Sequence, residues 1–382
     1  MNIKKKIKLT FIITGLVPDG AERMLLKLIE SIDRGRFSPR VISLTTNKIE
    51  IKHQLELLHV QVHRLDFRNL IKLPVEFIKL LIILMKEKPD IVHTWMYHAD
   101  LIGGLAARMV GVRFLIWGIR HDNLSINHNK KFIIIIAKFC SIISSFLPSA
   151  ILSCSARAKE NHENFGYCSK KMYVIPNGFN LDLFQPSSNA RKEIFSELRC
   201  GHENRLVGLV GRYDILKNHV GFIQAASMIA KGVPNVKFLL VGAGIDEANE
   251  RLKLLIQDMG VKEHFYLLGE RKDIHRVIAS LDVLVSSSLG EGFPNVLGEA
   301  MACEVPCVVT NVGDSAEIVG DTGFVVNSGD MKALANGVIQ LLSDEGLRSK
   351  LGNQARVRVR EMYEISNVTT RYENFYVDIC RE

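Results

Sequence analysis

The stretch Leu206-Val-Gly-Leu-Val-Gly-Arg-Tyr-Asp-Ile-Leu-Lys217-Asn218 sets the reading of the whole chain. Leu206–Val210 is a short apolar run that reads as a strand, and the Gly, Arg and Lys after it fill a loop that leads into a helix-length amphipathic segment. The same unit recurs at Phe238–Val241, Phe265–Leu268, Val283–Ser286, Val305–Val309 and Phe324–Val326. Towards the N-terminus it is found at Leu9–Thr14, Val41–Leu44, Val60–Leu65, Ile91–His93, Phe114–Trp117, Ile151–Ser153 and Tyr173–Ile175. Helical patterns such as Ala21–Ile32, Val75–Lys86, Leu101–Met109 and Ala156–Phe165 lie between. Such alternation implies parallel sheets joined by right-handed crossovers, hence two doubly wound, Rossmann-like α/β domains.

Between the two series, Ile175-Pro-Asn-Gly-Phe-Asn180 breaks the pattern with dense turn chemistry. The expected division is a first domain over 1–178, a linker over 179–204, a second domain over 205–360, and a C-terminal helix over 361–382 that packs back on the first domain. A chain of 382 residues suits two domains of ordinary size. Two such sheets facing each other leave a cleft at the carboxyl ends of their strands, so the chemistry is expected in the loops that follow strands.

Composition narrows the class. Hydrophobic residues make up 47% and charged residues 24%, the balance of a folded globular protein. The seven cysteines are odd in number and scattered, which argues against a disulfide framework and for a reducing compartment. Cys303 and Cys307 have no accompanying Cys or His pair, so no structural zinc is expected. The basic start, Met1 to Lys8, is followed by an apolar run too short for a secretory signal, and a cytoplasmic location is expected. The run from Phe132 to Leu152 is broken by Lys138, several serines and Pro148; it reads as a helix followed by a strand near Ala150, with breadth enough for an interfacial helix peripheral on a membrane. Residues 1–180 hold 27 Lys/Arg against 14 Asp/Glu, whereas 181–382 hold 22 against 27. In a chain without nucleic-acid motifs, a basic first half points to an anionic membrane surface or a phosphate-bearing acceptor.

The most specific segment is Glu291-Gly-Phe-Pro-Asn-Val-Leu-Gly-Glu299, which follows the strand at Val283–Ser286 and runs into a helix from Asn295 to Cys303. A helix N-terminus carries unpaired N–H groups and partial positive charge, suited to a phosphate. Phe293, Pro294 and Asn295 form the approach to it. Glu299, about a turn in, can offer an acceptor pair to vicinal hydroxyls, and Glu291 can hold a sugar hydroxyl. Alone, each glutamate reads equally well as a solvated loop acid or a dipole partner. In the quoted opening stretch, Arg212 can grip phosphate oxygens bidentately and Lys217 adds a mobile charge, together a diphosphate clamp. Gly242 belongs to a Gly-Ala-Gly turn that lacks the third glycine of a dinucleotide fingerprint, since Glu247 stands there; this argues against NAD and for a glycine turn beside a nucleotide. Arg120-His121-Asp122-Asn123 follows a strand, and the His121 imidazole can donate to a sugar hydroxyl and steady transition-state charge. His93, Trp95, Tyr97 and His98 read about equally as acceptor-side residues and as core.

Residues Glu291 to Val326 resemble the C-terminal block of the family-4 glycosyltransferases, whose signature is two glutamates separated by seven residues. Departures are Glu304 and Asp314, where glycine is usual, and Gly298, where an apolar residue is usual. The resemblance implies a GT-B fold and a retaining transfer of a hexose-type sugar from a nucleoside diphosphate, with a UDP-sugar favoured over a GDP-sugar. It assigns the diphosphate to Arg212 and Lys217, places Arg271 near the base, and sets His121 near donor sugar and acceptor. The loop Gly15 to Arg23 resembles the family's glycine-rich N-terminal loop, with Asp19 in place of a first glycine and Gly20 left to approach the diphosphate. No metal or other cofactor is expected, because Arg212, Lys217 and the helix at Asn295 can balance the leaving diphosphate. The N-terminal pattern looks like bacterial enzymes that build lipopolysaccharide, capsule or exopolysaccharide, which implies a lipid-linked or glycan acceptor and no nucleic acid. A GT-B-fold sugar-nucleotide epimerase, which needs no acceptor, is the alternative.

Overall fold

A computed structural model describes residues 6–17, 19–46, 50–121, 124 and 131–381. The chain divides into two units, one made of Met1–Gly178 with Ile365–Glu382 and the other of Phe179–Glu364.

The first unit contains the strands β1 (Ile7–Ile13), β2 (Phe37–Ser43), β3 (Val62–Arg64), β4 (Ile91–Trp95), β5 (Phe114–Ile119), β6 (Ala150–Ser153) and β7 (Met172–Val174). They pair in the order β3-β2-β1-β4-β5-β6-β7, all parallel. Its helices are α1 (Gly20–Ser31), α2 (Glu50–Leu57), α3 (Leu73–Glu87), α4 (Tyr97–Met109), α5 (Lys131–Ile143) and α6 (Ala156–Phe165). The second unit contains α7 (Ser188–Leu198), β8 (Arg205–Val210), α8 (His219–Gly232), β9 (Val236–Val241), α9 (Glu250–Asp258), β10 (Phe265–Leu267), α10 (Ile274–Ala279) and β11 (Val283–Ser286). It continues with α11 (Asn295–Ala302), β12 (Cys307–Thr310), α12 (Ser315–Val319), β13 (Phe324–Val326), α13 (Met331–Ser343) and α14 (Glu345–Tyr363), after which α15 (Ile365–Ile379) returns to the first unit. The second sheet runs β10-β9-β8-β11-β12-β13, again parallel throughout.

Alternation along each strand feeds two cores. In β1, Leu9, Phe11 and Ile13 join α1 and α15 residues in one buried cluster, while Ile12 joins the helices of the opposite face. In β8, Leu206 faces one cluster and Val207 and Leu209 face the other. Side chains that alternate faces with a period of two explain why these strands read as unbroken apolar runs: both faces are covered. Each sheet reverses its winding once, between β1 and β4 in the first and between β8 and β11 in the second.

One stretch differs from the sequence reading. Residues 179–204, expected as a linker, contain α7, and Ile194 and Phe195 on it are buried in the second unit's core. Ser187 caps that helix by accepting from Ala190 N, so a local start signal was present. Phe179, expected in a turn, is fully buried and its N–H donates to Tyr363 O at 2.8 Å. On α15, Tyr372 and Tyr376 are fully buried within the first unit's core. Among the described residues, no helix is long and apolar enough to cross a membrane.

Candidate functional site

The two motif loops of the second unit leave β8 and β11, the strands that flank its switch point, where doubly wound sheets hold ligands. Ser287 fastens them together: its hydroxyl donates to Lys217 O at 3.0 Å and to Asn218 O at 3.1 Å. Asn218 Nδ2 donates back to Ser287 O, and Leu289 N donates to Leu216 O at 2.7 Å. Asn218 adopts a left-handed backbone (φ 51°) and its side chain caps α8 through Gly221 N. Asp214 closes the single turn Ile215–Lys217 by accepting from Leu216 N. The lysine is thereby delivered to the glutamate. Lys217 Nζ donates to Glu291 Oε1 at 2.6 Å, and Ser288 Oγ donates to the same oxygen at 2.6 Å. Oε2 of Glu291 has no partner among the described residues. The Lys217 side chain lies over Gly211, where a Cβ would stand 3.2 Å from its Cδ and Cε.

The glycine turn after β9 is stitched to this loop. Gly211 N donates to Val241 O, Tyr213 N to Ala243 O, and Gly242 N to Gly269 O, each at 2.8 Å. Gly242 has φ +150°, and a Cβ there would stand 2.2 Å from Gly211 O, so only glycine lets the two loops approach. Arg212 is more exposed than Lys217 and its Nε lies 3.4 Å from Asp214 Oδ2.

Helix α11 starts at Asn295, and Pro294 at its N-cap position makes no side-chain cap hydrogen bond. Phe293 anchors the approach by stacking on Phe179 (centroids 6.2 Å apart, 20° between planes) and meeting Tyr363 edge-on. Glu299 is half-buried on α11, and its charge adds to the burial that pushes the Cys303 thiol up to about 12. Two family departures find their reasons here. A Cβ on Gly298 would meet Phe179 Cε2 at 2.1 Å, so the ring occupies the space of the usual apolar side chain. Glu304, just past α11, holds φ +61°, the conformation for which glycine is the ordinary choice. Asp314 is buried beside the motif, with its N–H donating to Gly292 O at 3.0 Å.

Arg271, expected near the base, is held by ion pairs within the second unit. Its guanidinium pairs with Glu197 of α7 and donates to both Asp273 oxygens at 2.8 Å; these carboxylates raise its pKa and turn its donors towards the protein. It fastens the loop after β10 to α7.

In the first unit, Asp19 caps α1 by accepting from Gly20 N at 3.0 Å; Pro18 of the same loop lies outside the described residues. Burial raises the Glu22 carboxyl on that first turn to about 7. His121 is half-buried after β5, while Asp122 and Asn123 lie outside the described residues. Of the two readings of His93, Trp95 and Tyr97, burial decides for the core and against the acceptor side. His93 and Trp95 are fully buried, with His93 Nδ1 2.8 Å from Tyr376 Oη. Tyr97 Oη lies 2.7 Å from His162 Nε2, and His162 Nδ1 donates to Ala158 O at 2.6 Å. A carbonyl can only accept, so Nε2 is the bare nitrogen and the tyrosine donates to it. Arg120, given no role in the sequence reading, is a pin: it lies 3.6 Å over the Trp95 ring and donates to Asn177 Oδ1 and Tyr372 Oη.

Comparison with known proteins agrees with this architecture. The chain superposes on Anabaena HepE in complex with UDP and glucose with a TM-score of 0.86 at 22% identity, covering 97% of this chain and 100% of that one. The fold is GT-B. The profile of Glycosyltransferase Family 4 matches residues 18–183, and that of Glycosyl transferases group 1 matches 190–358. Staphylococcus aureus CapM, a capsular polysaccharide biosynthesis glycosyltransferase, is 31% identical over 80% of this chain and 81% of its own. An Escherichia coli UDP-Gal:alpha-D-GlcNAc-diphosphoundecaprenol alpha-1,3-galactosyltransferase is 28% identical over 81% of each chain. The chain belongs to glycosyltransferase family 4 and is a glycosyltransferase.

Proposed function

We propose that the protein transfers a hexose-type sugar, with retention, from a UDP-sugar to a lipid-linked or glycan acceptor in bacterial surface-glycan synthesis at the cytoplasmic face of the membrane. The observation that carries this is the Lys217–Glu291–Ser288 arrangement at the switch point, which leaves one Glu291 oxygen unpaired beside an ammonium group. Lys217 and Arg212 take the diphosphate, together with the N-terminus of α11. Glu291 Oε2 accepts from a hydroxyl of the donor sugar, and Glu299 accepts from the ribose diol. His121 donates to a sugar hydroxyl. As the bond from the anomeric carbon to the diphosphate oxygen breaks, negative charge grows on that oxygen, and Lys217 and Arg212 stabilise it without a metal. The acceptor oxygen bonds to the anomeric carbon on the same face, and its proton passes to the departing diphosphate.

UDP is preferred to GDP because HepE is known with UDP and UDP-glucose, and the Escherichia coli relative is named for a UDP-Gal donor. The same relative's name contains a diphosphoundecaprenol acceptor, which supports a lipid-linked acceptor here.

The test is calorimetric titration of UDP, GDP, ADP and NAD into the wild type and Glu299→Ala. UDP binding that weakens on substitution is the expected result. Binding of none of the four, or binding indifferent to Glu299, would remove the donor site from the second unit.

A further inference from the structure

Helices α3, α4 and α5 pack side by side, α3 on α4 and α4 on α5, and cover one face of the first sheet. Their outer surface combines two features. On α3, Val75, Ile78, Ile82 and Met85 are exposed at spacings of three, four and three residues. On α5, Phe132, Ile135, Phe139 and Ile142 repeat that spacing, with Phe132, Ile135 and Ile142 63–65% exposed. An inward stripe on each helix already fills the core, so these outward stripes have no use in folding. Charge is sorted as strictly. The acidic residues of the three helices, Glu76, Glu87 and Asp100, are all buried, and α5 has none. Lys79, Lys86, Lys131 and Lys138 are all exposed.

We propose that the α3–α4–α5 layer is a docking face for an anionic lipid bilayer. Apolar rows interspersed with cations and free of exposed acids match acyl chains beneath phosphate headgroups. The face is about 22 Å long at α3 and about 20 Å across three adjacent helices, an area suited to a flat partner rather than to one peptide. A second copy of the chain fits poorly, because a two-fold contact would bring together two identical patches that hold lysines and no exposed acid on these helices to pair with them. None of the three helices can cross a bilayer, so the contact is shallow. The inference rests on this layer; the lipid-linked acceptor proposed above only gives the docking a use.

The experiment is flotation of the full chain with phosphatidylcholine vesicles, with and without about one third phosphatidylglycerol. Binding is expected only to the anionic vesicles, weakening as salt rises. Ile135→Ser with Ile142→Ser should weaken partitioning on the order of thirtyfold, and Lys86→Glu with Lys131→Glu on the order of tenfold. Leu254→Ser, an exposed apolar residue of the second unit, should leave it unchanged. Absence of flotation, or flotation untouched by both pairs, would overturn the proposal. So would a dimer, seen by sedimentation, that both pairs dissolve without any vesicle binding. UDP titration of the same variants keeps the two readings apart: flotation as expected with no UDP binding by wild type would sink the transferase site and leave the docking face standing.

Discussion

At the switch point of the first sheet, β1 and β4 run among buried rings: Phe11 meets His93 and Trp95, and Arg120 lies over Trp95. At that of the second, β8 and β11 end in loops that hold Lys217, Ser288 and Glu291 within hydrogen-bonding reach. The outer surfaces contrast as well, with an apolar, cation-bearing helix layer on the first unit and ion-paired arginines such as Arg271 and Arg276 on the second. Two sheets wound alike thus differ in what they present, one setting polar side chains at its strand ends and the other apolar rows and cations on the outside of its helices. The strand order supplies the place for a site, and the loop residues decide whether chemistry sits there.

The contrast predicts first where activity will fail. Lys217→Ala and Glu291→Gln should each lower kcat by about two to three orders of magnitude, the range for removing one preorganised charge or hydrogen bond from a transition state. Ser288→Ala frees the carboxylate without deleting it and should cost about tenfold in kcat with UDP affinity unchanged. His93→Asn should instead lower stability and leave kcat per folded molecule alone. Steady-state rates with calorimetric UDP binding decide; full activity in Glu291→Gln would make the Lys217–Glu291 pair a structural one.

How much of this was legible beforehand follows from range. The strands of both sheets could be read because a two-sided sheet needs continuous apolar runs, and those lie within a few residues of one another. The motif loops could be read because glycine, arginine, lysine and glutamate in loops after strands have few other uses. The choice of core over acceptor side for His93 and Trp95 could not be, since it depends on α15, nearly three hundred residues along the chain. The ion pairs of Arg271 were out of reach for the same reason: Glu197 is 74 residues away in the sequence. Ser288 went unnoticed inside Ser286-Ser287-Ser288, although three hydroxyls closing a buried strand were a signal that polar groups must find partners there. Helix α7 was hidden by its polar composition, which resembles a connecting segment.

A second prediction separates the units by stability. Gly298→Leu sets a side chain into the Phe179 ring, which is fully buried and stacked on Phe293. Overpacking with no direction of relief should cost about 3 kcal/mol, confined to the second unit. Both tryptophans, Trp95 and Trp117, lie buried in the first unit, so their fluorescence reports it alone while circular dichroism reports both. Denaturant titration should show an early dichroism transition with the fluorescence midpoint in place. Coincident early transitions would mean that the units do not unfold separately.

Acid should distinguish the units too. Burial lowers His219 to about 4, so between about pH 6.5 and 4 the unfolded chain binds a proton that the second unit refuses. Stability contributed by that neutral imidazole is complete above pH 6.5 and is lost as pH falls towards 4. In the first unit His162, also lowered to about 4, and His93, lowered well below its usual value by burial, act in the same direction. There, however, burial raises Glu22 to about 7 and Asp100 to about 8, and a raised carboxyl favours the folded state more as pH falls across this window. The opposed slopes leave the first unit nearly level from pH 7 to 5, while the second weakens. Fluorescence and dichroism midpoints at the two pH values test this, and His219→Gln should remove much of the dichroism shift.

The smallest expected effect is a gain. Glu304 holds a left-handed conformation at the end of α11, which costs a residue with a Cβ about 1 kcal/mol relative to glycine. Its return is slight: the Arg356 Nε to Glu304 Oε1 separation is 3.9 Å, and that carboxylate is more than a third exposed, so screening leaves the pair little strength. Gly352 packs on the Glu304 backbone, where a Cβ would come within 2.1 Å of the carbonyl oxygen, so the turn is held from outside whatever side chain stands at 304. Glu304→Gly should therefore stabilise the second unit by about 0.5 kcal/mol after the added freedom of the unfolded chain is subtracted, with the fluorescence midpoint of the first unit unmoved. A loss of stability would show instead that the Glu304 carboxylate is held far more firmly than its distance and exposure allow.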